Sequence, residues 1–229
     1  MRIGIHQPNF FPWLGYFHKI KNVDKFVILD NVDIVLGASY AITNRTKIQT
    51  SQGELWLTVP LQKGQSKKII DIQIDYNQNW KAKHLKTLEL TYKKAPNFKS
   101  TFTWISGIYA NHFGKISDMN SFIIKEVSKL FNIKTEFIFA SELGSTSLDK
   151  NNRIIEICNL LGGNTYLSGN GAKKYNDESK FQANKIDLLY TSYTGVEYTQ
   201  FNSPHFVKGL SIIDLMMNKS NKDIVTYLE

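Results

Sequence analysis

The sequence predicts an α/β fold with a mixed, largely parallel central sheet that begins with a βαβ unit. Three patterns carry this expectation. Residues 2–6 and 25–30 read as short buried strands, the second through the apolar run Phe26-Val27-Ile28-Leu29 that suits an inner parallel strand. Between them Trp13, Tyr16, Phe17 and Ile20 recur at helical spacing, and Pro12 fits the first helical turn, where a missing N–H costs nothing. A strand, a helix and a second strand so close together form a parallel, normally right-handed unit.

Ser51-Gln52-Gly53 separates two β-forming runs across 46–60, which predicts a hairpin, and Ile70, Ile72 and Ile74 alternate with polar neighbours as in a half-buried strand. Residues 78–132 read as a helical insertion or layer. Trp80, His84, Leu88 and Tyr92 share one face, Pro96 precedes a helix with Phe98, Phe102 and Ile105, and Ser117 is the expected N-cap of a third helix. A strand at 136–139 leads to a helix over about 151–161 that stops at Gly162-Gly163. Strands at 165–168 and 186–191 follow, and Ser203-Pro204 marks the expected start of the C-terminal helix. With no repeat or clear linker, 1–229 reads as a single domain.

Composition narrows the function. With 42% hydrophobic and 13% aromatic residues in 229, the chain can bury a substantial core. One cysteine, Cys158, allows no internal disulfide, the N-terminal apolar stretch is too brief for a secretory signal, and no run approaches the ~20 residues of a membrane span. A cytoplasmic location is expected. The net charge of +8 favours anionic partners, yet the lysines are dispersed and form no basic stripe, so a small phosphate-bearing ligand is expected rather than nucleic acid.

In a parallel sheet, ligands gather at the loops leaving the carboxyl ends of strands. The turn after the first strand, His6-Gln7-Pro8-Asn9-Phe10-Phe11-Pro12-Trp13, is unusually rich in recognition chemistry. His6 can act as acid or base near neutral pH, and Gln7 and Asn9 each donate and accept; these three are the candidate catalytic residues. Trp13, Phe11 and Phe17 are assigned to the core by their helical spacing. Asn44, Arg45 and Lys47 form a second polar group. Arg45 presents a planar fork for phosphate or carboxylate, and an ion pair to Asp30 or Asp33 is the structural alternative. The loop Ser168-Gly169-Asn170-Gly171, with Lys173 and Tyr175 beyond it, can bring backbone N–H groups to a phosphate, although it matches neither a Walker loop nor GxGxxG. Cys158 lies in register with Ile154 and Leu161 as a core residue, no zinc-ligand spacing occurs, and Asp30 could join a phosphate in holding Mg2+.

These residues resemble the WbqC-like protein family, named from a member encoded in a bacterial O-antigen gene cluster. The resemblance spans nearly the whole chain. It rests on Ile5-His6-Gln7-Pro8-Asn9-Phe10-Phe11-Pro12-Trp13-Leu14-Gly15-Tyr16, then Asp30, Asn44-Arg45, Trp56-Leu57-Thr58-Val59-Pro60, Tyr166-Leu167-Ser168-Gly169 with Gly171-Ala172, Tyr198 with Gln200, and Leu210-Ser211-Ile212-Ile213-Asp214. A fainter similarity links the chain to nucleotidylyltransferase-like folds, in which a strand leads into an FQPxHxGH turn and a later ISxTxIR loop closes on phosphate. Here Gln7-Pro8 precedes Gly15-Tyr16 with three additional residues between, Tyr16 stands for the second histidine, and Lys173 stands for the arginine.

The family resemblance implies surface-polysaccharide precursor synthesis and a nucleotide-activated sugar, often an amino sugar, as substrate. Transfer of an acyl or aminoacyl group, with acyl-CoA as a candidate donor, is the expected chemistry. ATP-dependent adenylate formation with Mg2+ and a non-catalytic binding or assembly role in the same pathway are the alternatives.

Overall fold

The computed structural model describes residues 1–38, 41–64 and 66–228. β1 (Arg2–His6), α1 (Leu14–Lys21) and β2 (Lys25–Ile28) form the expected βαβ unit, with Ile3 opposite Lys25 and His6 opposite Ile28 in parallel register. Pro12 is not in the first helical turn. α1 starts two residues later, after an extended Trp13, and the Pro12 carbonyl instead accepts from the Ile212 N–H at 3.1 Å.

β3 (Arg45–Thr50) and β4 (Gly53–Thr58) make the expected hairpin as a separate antiparallel sheet. Gly53 closes the turn at φ +114°, a conformation that a side chain would oppose. The expected strand at 70–74 is a 3₁₀ turn at Ile69–Asp71 followed by extended chain with isolated bridges Leu61↔Ile74 and Gln73↔Lys115. Burial does alternate there, but the backbone partners are scattered: Ile70 N–H bonds Asp30 and Ile74 N–H bonds Gly114. Alternation reported a half-buried chain without reporting a ladder.

α2 (Trp80–Tyr92), α3 (Phe98–Ala110) and α4 (Ile116–Leu130) form the helical layer. Lys115, not Ser117, occupies the cap position of α4, because the Ile116 N–H is already held by the Ile72 carbonyl and Ser117 is buried within the helix. β5 (Glu136–Phe139), α5 (Lys150–Leu160), β6 (Thr165–Ser168), α6 (Glu178–Ala183) and β7 (Asp187–Tyr190) complete the α/β part. No helix starts at Ser203-Pro204. That segment is irregular, Gln200 pairs with Val207 through both its amide atoms, and Gly209 turns the chain at φ +71°. The end of the chain is two short helices, α7 (Ile212–Asn218), capped by Ser211, and α8 (Asn221–Thr226).

The central sheet has the order β5-β2-β1-β6-β7, and every neighbouring pair is parallel. Counting only its own strands, the order is 3-2-1-4-5, so the chain reverses its progress across the sheet between β1 and β6. Phe26, Ile28 and Leu167 face α1 and the helical layer, whereas Ile3, Ile5, Val27 and Tyr166 face Phe181, Ile157 and Cys158 of α5 and α6. Cys158 is fully buried and its thiol is pushed up to about 12 by desolvation, which suits packing and not nucleophilic attack.

One side chain joins the helical layer to the turn after β1. Asn120 of α4 is completely buried and its amide donates to the Pro8 carbonyl at 2.9 Å and the Thr43 carbonyl at 2.7 Å. Leaving buried carbonyls unpaired costs about 1–3 kcal/mol each. Asn120→Ala is therefore expected to lower the unfolding free energy by about 2–4 kcal/mol in urea titrations with little change in slope; a loss under about 0.5 kcal/mol would show that this tie is not structural.

Candidate functional site

The sheet splits at its reversal point. Pairing of β1 with β6 ends at Gly4↔Leu167, while β1 and β2 stay paired to His6. The His6 carbonyl accepts from Leu29 on the β2 side, so by strand alternation the Ile5 carbonyl points toward β6. Instead of a β6 amide, Ile5 receives the ammonium of Lys19 at 2.8 Å. Lys19 rises from α1 into the split, is only 4% exposed, and lies 5.6 Å from the centre of the Tyr166 ring.

No carboxylate lies within ion-pair distance of Lys19 among the described residues. Desolvation of this uncompensated charge lowers its pKa to about 7. His6, at the end of β1, is lowered to about 4, first by burial and then by the nearby Lys19 charge. Its Nδ1 lies 3.1 Å from the Gln7 carbonyl, and since a carbonyl only accepts, Nδ1 carries the proton. His6 is thus a neutral imidazole with Nε2 as acceptor, held edge-on to Tyr16, whose hydroxyl donates to the same Gln7 carbonyl at 2.9 Å.

The turn that carries these groups is fixed from outside. Phe11 is fully buried yet has φ +41°, an unfavourable conformation for a bulky residue, of order 1–3 kcal/mol. Its carbonyl is held by the hydroxyls of Thr46 at 3.0 Å and Ser211 at 2.9 Å. Asn9 is buried within the same turn, and the Gln7 side chain is half-buried.

The β1–β6 register brings the His6 turn and the Ser168 loop to one edge of the sheet. Ser168 is buried, and its hydroxyl accepts from Asn176, which also donates to the Tyr190 hydroxyl. Gly169 leads into a single 3₁₀ turn at Asn170–Ala172, leaving Asn170, Gly171, Lys173 and Tyr175 exposed. The second polar group is engaged elsewhere. Asn44 bonds the Val59 carbonyl, Arg45 donates to the carbonyls of Ala41 and Ala38 and stacks on Trp56, and Lys47 pairs with Glu54 at 2.6 Å. Asp30, considered for Mg2+, has both oxygens taken by the N–H and hydroxyl of Ser141.

Trp13 departs from its core assignment. It is 40% exposed and forms one wall of a cavity with Tyr193, Tyr198 and the 206–211 segment, because its indole folds back over Gly15 instead of entering the interior. Behind the cavity Asp214 is buried and accepts from the Tyr92 hydroxyl at 2.5 Å and the Tyr198 hydroxyl at 2.8 Å. Burial raises its pKa, and these donors only partly offset the effect.

Lys19, Asn120 and Asp214 escaped recognition in the sequence as site-building residues. For Lys19 a signal was available: it stands three residues after Tyr16 and one before Ile20, a charge inside the apolar arc of α1. The pH dependence of stability tests its state. Folded Lys19 releases its proton near pH 7 and the unfolded chain near 10.5, so between those values the unfolded state holds more protons and stability rises with pH. The urea midpoint is expected to climb from pH 7 to 9 in the wild type and to be flatter in Lys19→Met; equal slopes would contradict the burial of an uncompensated amine.

The model of the WbqC-like protein family matches residues 7–226, from Gln7 to α8. The chain is 31% identical over 221 residues to the uncharacterized protein Rv1507c of Mycobacterium tuberculosis, covering 95% of this chain and 93% of that protein. No solved structure matches. The family model runs through the turn from Gln7, the helical layer and the C-terminal helices, and the chain belongs to the WbqC-like protein family.

Proposed function

We propose that this WbqC-like protein is a group transferase acting on a nucleotide-activated amino sugar in surface-polysaccharide precursor synthesis. The observation that carries the proposal is Lys19, a buried amine with no carboxylate beside it among the described residues, set in the split of the sheet beside a neutral histidine. An arriving phosphate supplies the missing counter-charge and draws a proton onto Lys19, while the exposed Gly169–Lys173 loop meets the outer phosphate oxygens. The net charge of +8 assists the approach of such an anion.

In the proposed reaction the sugar amine attacks the carbonyl carbon of an acyl thioester such as acyl-CoA. A C–N bond forms and the C–S bond breaks. His6 Nε2 takes the proton leaving the amine and passes it to the departing thiolate, while its Nδ1–H stays fixed on the Gln7 carbonyl. His6 remains unprotonated at neutral pH because of its burial and Lys19, so the acceptor is present at the outset.

Thermal-shift measurements with nucleotide sugars, nucleoside diphosphates, ATP and acyl-CoAs test the proposal. A nucleotide sugar is expected to raise Tm, Lys19→Met to abolish the shift, and His6→Ala to retain it while slowing transfer about 10²- to 10⁴-fold. A panel in which no phosphate-bearing compound raises Tm would sink the proposal. ATP–pyrophosphate exchange dependent on a carboxylic acid would replace it with adenylate formation.

A further inference from the structure

We propose that the cavity walled by Trp13 is the seat of a heteroaromatic base, the nucleobase of the ligand whose phosphates are assigned to the β1–β6 edge; it rests on that phosphate assignment. Trp13, Tyr193, Tyr198, Phe206, Leu210 and Leu215 line a space of about 100 Å³. A cavity of about 150 Å³ holds a benzene ring, so this space is on the scale of one small ring system and not of a whole nucleotide sugar.

Trp13 is built as a platform. The ring meets Tyr193 edge-on at 5.4 Å between centres, and a Cβ placed on Gly15 would come within 2.3 Å of the indole. Glycine at that position is what allows the indole to lie over the helix start. The lining also contains Gly195 and Gly209, at φ +94° and +71°, whose lack of a side chain leaves their backbone open to the polar edge of a base.

The chemistry of the walls separates a base from a pyranose. The Tyr198 hydroxyl is committed to Asp214 and the Ser211 hydroxyl to the Phe11 carbonyl. What remains is the ring faces of Trp13, Tyr193 and Phe206, the backbone, and the polar ends of Thr194 and Lys208, an arrangement of stacking faces with a few polar groups at the edge that suits a flat ring with polar edges.

The cavity also lies at the right remove from the phosphate edge. The Thr191 N–H bonds the Ser168 carbonyl at 2.9 Å, and Tyr193 stands two residues farther on, about 7 Å of extended chain. His18 of α1 bridges this step, with its ring 5.1 Å from Tyr193 and its Nδ1 3.4 Å from the Thr191 hydroxyl. A ligand with its base against Trp13 would thus direct its phosphates toward Ser168 and the Lys19 split.

Binding of UDP, CDP, ADP and GDP, of the four matching nucleosides and of pyrophosphate to the full chain, followed by calorimetry and tryptophan fluorescence, tests the proposal. At least one diphosphate is expected to bind more tightly than pyrophosphate and to alter the fluorescence. Trp13→Leu should weaken it roughly 5- to 150-fold, the range of one base–aromatic stack, and leave pyrophosphate unchanged. Trp13→Phe should restore much of the loss, and Gly15→Ala, which displaces the indole without removing it, should reproduce it. Equal affinity for diphosphates and pyrophosphate, or an unchanged diphosphate affinity in Trp13→Leu, overturns the base seat and leaves the phosphate site standing. Nucleosides and diphosphates that bind in a Trp13-dependent way, with no affinity for pyrophosphate, support the base seat and remove the phosphate assignment. No binding by any of these compounds overturns both.

Discussion

The peptide groups of the turn between β1 and α1 cannot satisfy one another, and the rest of the structure is arranged around supplying them with partners. Two prolines and a left-handed phenylalanine exclude regular helix or sheet there. The donors therefore come from far along the chain: Asn120 to Pro8, Thr46 and Ser211 to Phe11, and Ile212 to Pro12. Phe10 closes the set by donating to Ile42. A helical layer, a hairpin and the C-terminal helices thus converge on one turn, whose exposed groups are held by packing rather than by local propensity.

That rigidity gives the split of the sheet its electrostatic character. A parallel sheet normally fills its carbonyls with neighbouring strand amides, but β6 diverges after Leu167 and the Ile5 carbonyl takes an ammonium instead. The amine is shielded from water and unpaired with any acid among the described residues, so both it and His6 are pushed toward their neutral forms. Replacing a hydrophobe with lysine at such a place costs stability, and a bound anion would offset that cost.

The scattered residues on which the family resemblance rests acquire a physical meaning in this setting. Half-buried Tyr198 donates to buried Asp214, and Ser211 both caps α7 and holds Phe11. Gly15 is next to Tyr16 in sequence but serves Trp13, whose ring needs the space above it. Arg45, by contrast, donates to the carbonyls of Ala38 and Ala41 and stacks on Trp56, so its fork is largely used in building the hairpin end.

The sequence by itself determined the βαβ start, the hairpin, the helical layer and the two loops of interest, because periodicity, glycine and proline act locally. It also placed both loops at strand ends. It misplaced Pro12, Ser117 and the C-terminal helix, where a chain-remote bond or a glycine turn overrides propensity. Tertiary structure alone decided that β1 and β6 are neighbours, that Lys19 enters the split between them, and that Trp13 faces a cavity rather than the core. Those outcomes depend on strand order and on donors more than a hundred residues away, such as Asn120 and Ser211, and short-range patterns carry no information about either.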